Sequence, residues 1–210
     1  MSKLIFDLDG VIITYDRNFA ETYSVEFGVP VAEIYRFFSD DYRDCAIGQS
    51  ALPERIGKYI SAWRWPGDAD SLIQYWFDCQ STVDTRLVGL IRLAGAAGHE
   101  CYVASDQDYM RSSYIRNMVD LDSIFAGCFF SCDLGATKAE PVFFEKVLDS
   151  LGCTPGDVYF WDDNPQNITV AKALGIRVEL YTGYEDFWPA FTGRFGEARQ
   201  TPEKGGQPWH

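Results

Sequence analysis

The chain has 210 residues, with 18 Lys and Arg against 31 Asp and Glu, and a formal net charge of −13. That length suits one domain, or one domain carrying an insertion, and a composition 47% hydrophobic and 16% aromatic supplies a core, which excludes wholesale disorder. A chain this acidic, without any run of Lys or Arg, repels phosphate backbones and anionic lipid surfaces, so neither nucleic acid nor a membrane is expected as a partner.

At the N-terminus, MSKLIFDLDG carries acids where a signal peptide has its apolar region, and no stretch approaches the ~18 apolar residues that cross a bilayer. A cytoplasmic location is the expectation. Apolar runs bounded by turn residues predict strands over 3–8, 100–104, 127–131, 157–161 and 176–181. Between the later runs the apolar residues recur at helical spacing: Leu87, Ile91 and Ala94, then Phe144, Val147, Leu148 and Leu151, then Ile168, Ala171 and Leu174. Asn164-Pro165 reads as an N-cap followed by proline at the first helical position, and Gly152 and Gly175 as helix stops. Strand alternating with helix predicts an α/β fold, a Rossmann-like parallel sheet core with helices on both faces.

Residues 15–81 break this alternation and predict helices over 18–27, 31–44, 50–63 and 70–79, split by Pro30, Gly48 and Pro66-Gly67. The expected organisation is therefore an α/β core from residues 1–14 and 82–192, an inserted helical segment at 15–81, and a flexible tail over 193–210, where Gly, Pro and charged residues dominate. The inserted segment is rich in aromatics, including Phe37, Phe38, Tyr42, Trp63, Trp65, Trp76 and Phe77 with Arg43 and Arg64 among them. A small helical unit with little else to bury makes its core from such rings, and that reading is preferred to a substrate pocket. Six scattered Cys without a CxxC read as reduced core thiols, Cys128 and Cys132 included. With only His99 before a strand and His210 at the end, a Ser-His-Asp or Cys-His enzyme is set aside.

In a parallel sheet, ligands bind beyond the carboxyl ends of the strands. The first predicted strand ends in Asp7-Leu8-Asp9-Gly10, the second in Ser105-Asp106 and the fourth in Asp162-Asp163-Asn164, while Lys138 follows the third, just before a helix opened by Pro141. Four carboxylates converging on one crevice repel unless a cation sits among them, and their hard oxygens suit Mg²⁺, which leaves room for a substrate phosphate. A carboxylate can attack phosphorus to form an aspartyl-phosphate that water hydrolyses. Lys138 and backbone N–H groups around Gly10 would neutralise charge, and Asp9 could protonate the leaving oxygen and later accept a proton from water.

This ordered set resembles the haloacid dehalogenase-like hydrolase superfamily, over residues 1 to about 190: Asp7-Leu8-Asp9-Gly10-Val11, Ser105, Lys138 and Asp162-Asp163 stand in the order of its four motifs. The resemblance implies Asp7 as nucleophile, Asp9 as acid/base, and Ser105 and Lys138 as phosphoryl ligands. It also implies a Mg²⁺ site from Asp7, Asp162, Asp163 and the backbone carbonyl of Asp9, and a helical cap at residues 15–81. SCDLGATKAEPVFFEKVL and FWDDNPQNI are similar to a small bacterial group that includes sugar-phosphate phosphatases, in particular one acting on glucose 1-phosphate. Two residues depart from the pattern: Asp106 follows Ser105 where the family has a neutral residue, and Ala139 follows Lys138 where Pro is common. The expected function is Mg²⁺-dependent hydrolysis of a small phosphorylated metabolite. Phosphomutase, 2-haloacid dehalogenase and a non-catalytic phosphate-binding module are the alternatives, the last raised by the extra charge of Asp106.

Overall fold

A computed structural model describes residues 2–15 and 17–196. At its centre is β1 (Lys3–Phe6), whose apolar side chains alternate between two buried faces: Leu4 and Phe6 enter one cluster and Ile5 the other. It pairs in parallel with β4 (Glu100–Ser105) on one side and β6 (Val158–Asp162) on the other, and β5 (Gly127–Phe130) and β7 (Arg177–Leu180) extend the sheet to the order β5-β4-β1-β6-β7. The order reverses at β1, so the chain turns away on either side of its carboxyl end and leaves a crevice there. This is the α/β parallel architecture that the strand and helix alternation predicts.

Before the second sheet strand, the chain leaves through β2 (Ile13–Thr14) and returns through β3 (Thr82–Val83), which pair antiparallel as a short two-stranded ribbon. The ribbon is too short to leave a periodic sequence signal. Between its strands lie α1 (Phe19–Phe27), α2 (Val31–Asp40), α3 (Tyr42–Ala46), α4 (Leu52–Ile56) and α5 (Ala69–Cys79). The single helix expected over 31–44 is divided at Asp41, and the one over 50–63 becomes α4 and a 3₁₀ turn at Gly57–Tyr59. Phe19, Tyr23, Phe37, Trp63 and Trp76 form a buried cluster of their own, so these rings do serve as the helical unit's core. Arg43 instead pairs with Glu140 at 3.0 Å, near the surface.

The remaining helices are α6 (Thr85–Ala96), α7 (Tyr109–Met118), α8 (Leu121–Ile124), α9 (Ser131–Leu134), α10 (Pro141–Leu151), α11 (Pro165–Ala173) and α12 (Tyr184–Phe195). The expected cap at Asn164 is present, its side chain accepting from the Gln166 N–H, and Gly152 ends α10 in a left-handed conformation. One boundary needs correction: α12 runs past the expected start of the tail to Phe195. Phe187, Phe191 and Phe195, spaced by one turn, all pack edge-on against Trp161, and burying that stripe holds the final turn in place. The rest of the expected tail, 197–210, lies outside the described residues. All six cysteines are free, and among the described residues no helix is long and apolar enough to cross a membrane.

Candidate active site

Asp7 leaves β1 with its N–H donated to the Trp161 carbonyl at 3.0 Å, so the β1–β6 pairing itself sets the carboxylate's position. Its Oδ1 accepts from the Leu8 N–H at 2.7 Å and lies 2.6 Å from Lys138 Nζ. The same ammonium lies 2.7 Å from Asp162 Oδ2, at the end of β6. Asp162 also receives the Asn164 N–H at 2.7 Å and the Asn167 amide at 3.0 Å, so both its oxygens are engaged by the opening turn of α11. All three charged groups are buried, which makes the ion pairing obligatory: a lone charge here would be unsolvated.

Asp163 completes a cluster in which Asp7, Asp162 and Asp163 present oxygens within 4.8 Å of one another. The close approach depends on Gly10, whose φ is +81° and whose missing Cβ would lie 2.0 Å from Asp163 Oδ2. Burial pushes the Asp7 carboxyl well above the usual range, with Asp162 adding to the shift and Lys138 opposing it. Asp163 is raised as well, first by loss of water and then by Asp162. For Lys138, burial favours the neutral form, but Asp7, Asp162 and Asp106 outweigh it and hold the ammonium charged.

Ser105 and Asp9 are joined through Gln107, a residue that no motif in the sequence marks. Gln107 Nε2 donates to Ser105 Oγ at 2.9 Å and to Asp9 Oδ2 at 2.7 Å. Because Ser105 Oγ accepts in that bond, its own O–H proton stays available for another acceptor. Arg111 Nη2 lies 3.4 Å from Asp9 Oδ1, so amide and guanidinium hold the two oxygens of one carboxylate. Thus Asp7, Asp162, Asp163 and Lys138 form one group, while the Asp9 side chain lies with Ser105 on the β4 side and is no part of the carboxylate cluster. A signal for Arg111 does exist in the sequence: Asp108 caps α7, and a cation in the first turn of a helix opposes the helix dipole unless an anion holds it.

Asp106, the departure that hinted at lost phosphate binding, accepts the Lys138 backbone N–H at 2.9 Å through Oδ1. It braces the Lys138 loop. Glu140 braces the same loop by accepting the Thr137 N–H and O–H, both at 3.1 Å, which offsets the missing proline at Ala139.

A cavity of about 200 Å³ opens beside Tyr15, between the ribbon and the helical unit, lined also by Asn18, Tyr35, Phe38 and Gln80. Burial and the charges of Asp9, Asp163 and Asp7 push the Tyr15 hydroxyl up to about 12, so this ring stands within electrostatic reach of the carboxylates.

The family model of haloacid dehalogenase-like hydrolases matches residues 3–175, from the first residue of β1 to the glycine after α11. The chain belongs to this hydrolase family. The matched region of the hydrolase contains every residue of the site described above. An enolase-phosphatase E1 from Bradyrhizobium is 34% identical over 98 residues, 45% of this chain and 41% of that protein, so the hydrolase spans less than half the length of this curated relative. Among solved structures, a HAD family enzyme from Bacteroides thetaiotaomicron, in complex with magnesium and inorganic phosphate, superposes with a TM-score of 0.76 at 21% identity, over 91% of this chain and 99% of that one. A dehalogenase superposes with a TM-score of 0.67 at 15% identity, over 90% and 96%. At these identities the likeness is one of fold, and fold leaves the reaction open.

Proposed function

We propose that this hydrolase is a Mg²⁺-dependent phosphatase that cleaves a small phosphomonoester through an aspartyl-phosphate on Asp7. The observation that carries the reading is the cluster of Asp7, Asp162 and Asp163 around Lys138, with Asp9 held separately on the opposite side of the crevice. Five carboxylates (Asp7, Asp9, Asp106, Asp162, Asp163) face two cations, Lys138 and Arg111, and the excess of hard anionic oxygen fits a divalent ion. Asp7, Asp162 and Asp163 would hold Mg²⁺, which when bound supplies charge neutralisation to the phosphoryl oxygens.

Each residue then has a task its geometry suits. Leu8 N–H and Lys138 fix Asp7 through Oδ1, which leaves Oδ2 as the oxygen to attack phosphorus. Lys138 and the Ser105 hydroxyl bind phosphoryl oxygens and stabilise charge as it spreads over them. Asp9 gives its proton to the departing alcohol oxygen as the P–O bond breaks, then takes one from the water that cleaves the aspartyl-phosphate. A dehalogenase would have no task for the paired carboxylates or for Asp9, and the bracing role of Asp106 removes the feature that suggested a non-catalytic module.

The cavity beside Tyr15 supports a compact alcohol without a second anionic group. Among the described residues no Lys or Arg lines it, and the excess of carboxylates over cations next to it repels further negative charge. A hydroxylated ring, as in a sugar phosphate, could stack on Tyr35 or Phe38 and bond the Asn18 and Gln80 amides. The test is phosphate release from neutral polyol phosphates, bisphosphates, nucleotides and an aryl phosphate, with and without Mg²⁺. Metal-dependent release with the neutral polyol esters leading is expected, whereas no release from any ester would overturn the reading.

A further inference from the structure

Arg111 is the largest buried cation of the fold, 2% exposed, and the chemistry above gives it no substrate to bind. Its guanidinium serves two parts of the molecule at once. Nη1 donates to the Phe77 carbonyl at 3.1 Å, and Nη2 donates to the Gln80 carbonyl and lies 3.4 Å from Asp9 Oδ1. Phe77 and Gln80 close the C-terminal end of α5, where unpaired carbonyls and the helix dipole favour a cation, and the chain passes from there straight into β3. The rings of Phe77 and Tyr114, 5.2 Å apart, lie beside the guanidinium carbon at 5.1 and 5.4 Å and pack it from the same side.

We propose that Arg111 is a positioning residue that aligns the Asp9 carboxylate for proton transfer and makes that alignment depend on where the helical unit sits. The inference rests on the phosphatase reading, in which Asp9 protonates the leaving oxygen. The planar fork places one donor on Asp9 and the others on the end of α5, so a shift of the α5 terminus drags the guanidinium and releases Asp9 Oδ1. Gln107 alone then holds the carboxylate, through its other oxygen. Helical-unit placement and acid alignment thus become one event, carried by the guanidinium that both share.

The dependence on leaving group tests this. An alkyl phosphate expels an alkoxide that needs the Asp9 proton, whereas an aryl phosphate expels a stable aryloxide that does not. Rates of both esters would be measured for the wild type, Arg111→Met, Arg111→Lys and Asp9→Asn, and for Arg111→Lys combined with Asp9→Asn. Arg111→Met should lose at least about tenfold more kcat on the alkyl ester than on the aryl ester, and Arg111→Lys should recover part of that difference. In the Asp9→Asn background, Arg111→Lys should cost little further on the alkyl ester, because the group it acts through is already gone. Equal losses on both esters, or fully additive effects of the two substitutions, would overturn the role while leaving the phosphatase reading intact. If Arg111→Met does not fold, Arg111→Lys and the double variant test the role by the same two comparisons. A wild type that turns over neither ester would overturn the phosphatase reading and this role with it.

Discussion

Lys138 stands between two buried carboxylates, 2.6 Å from Asp7 and 2.7 Å from Asp162, and ties the ends of β1 and β6 into one ion-paired group. Removing it strands two charges that burial has already stripped of water. With metal removed by a chelator, Lys138→Ala should lower unfolding free energy by about 3–5 kcal/mol in urea titration, and a loss below ~1 kcal/mol would mean the pair is solvated in solution. Asp7 and Asp163 behave in the opposite sense to ordinary surface acids, because folding raises their pKa values. Without metal, the cost of ionising them is fully present above the raised values and is relieved as pH falls through them. Since Mg²⁺ competes with those protons, saturating metal should raise Tm by roughly 5–11 °C near pH 8, equivalent to about 2.7 kcal/mol at a hundredfold excess over Kd. The shift should shrink towards pH 5, and a shift that grows on acidification would contradict the assignment. Among single residues, those at strand ends were legible, since Asp7, Asp162, Asp163 and Lys138 do converge. Gln107, in the loop after β4, and Asn167, on α11, were not, because an amide looks like a solvated side chain until its neighbours are known.

At the scale of elements, the site is a set of strand ends and the turns that follow them. The turn after β1 is closed by the Val11, Ile12 and Ile13 N–H groups converging on the Leu8 carbonyl, which brings Gly10 against Asp163. Gly10→Ala meets both a φ of +81° and a carboxylate oxygen 2.0 Å from the new Cβ. Backbone strain of about 1–2 kcal/mol should accompany displacement of Asp163, so Mg²⁺ affinity by calorimetry should fall well beyond the change in Tm. Unchanged metal affinity would mean that Asp163 is not a ligand. Strand positions and the caps at Asn164 and Gly152 could be read ahead of the structure because they rest on local rules. The β2–β3 ribbon, the break at Asp41 and the final turn of α12 could not. A two-residue strand has no period, and the last turn is held by contacts between Phe195 and Trp161 that come from distant parts of the chain.

The whole molecule has two kinds of core. Clusters on both faces of the sheet bury β1, β4 and β6, while the helical unit buries its own aromatic set and joins the rest through the ribbon and a few polar links such as Ser131 Oγ to the Ala46 carbonyl at 2.6 Å. Units with separate cores open separately. Ile73→Ala, within the helical cluster, should cost about 2–5 kcal/mol locally and speed hydrogen exchange in α1, α2 and α5, with the amides of β1, β4 and β6 still protected. Uniform loss of protection would show one cooperative body instead. The fold neighbours include both a phosphate-bound enzyme and a dehalogenase, so the reaction has to be decided at the carboxylates. The most direct measurement is phosphate release by the wild type and by Asp7→Asn, at saturating Mg²⁺ and with both proteins shown to be folded by their melting curves. Metal-dependent release by the wild type is expected, with a loss of at least about 10³-fold in Asp7→Asn. Release that survives in Asp7→Asn to within about tenfold of the wild-type rate would rule out Asp7 as the nucleophile.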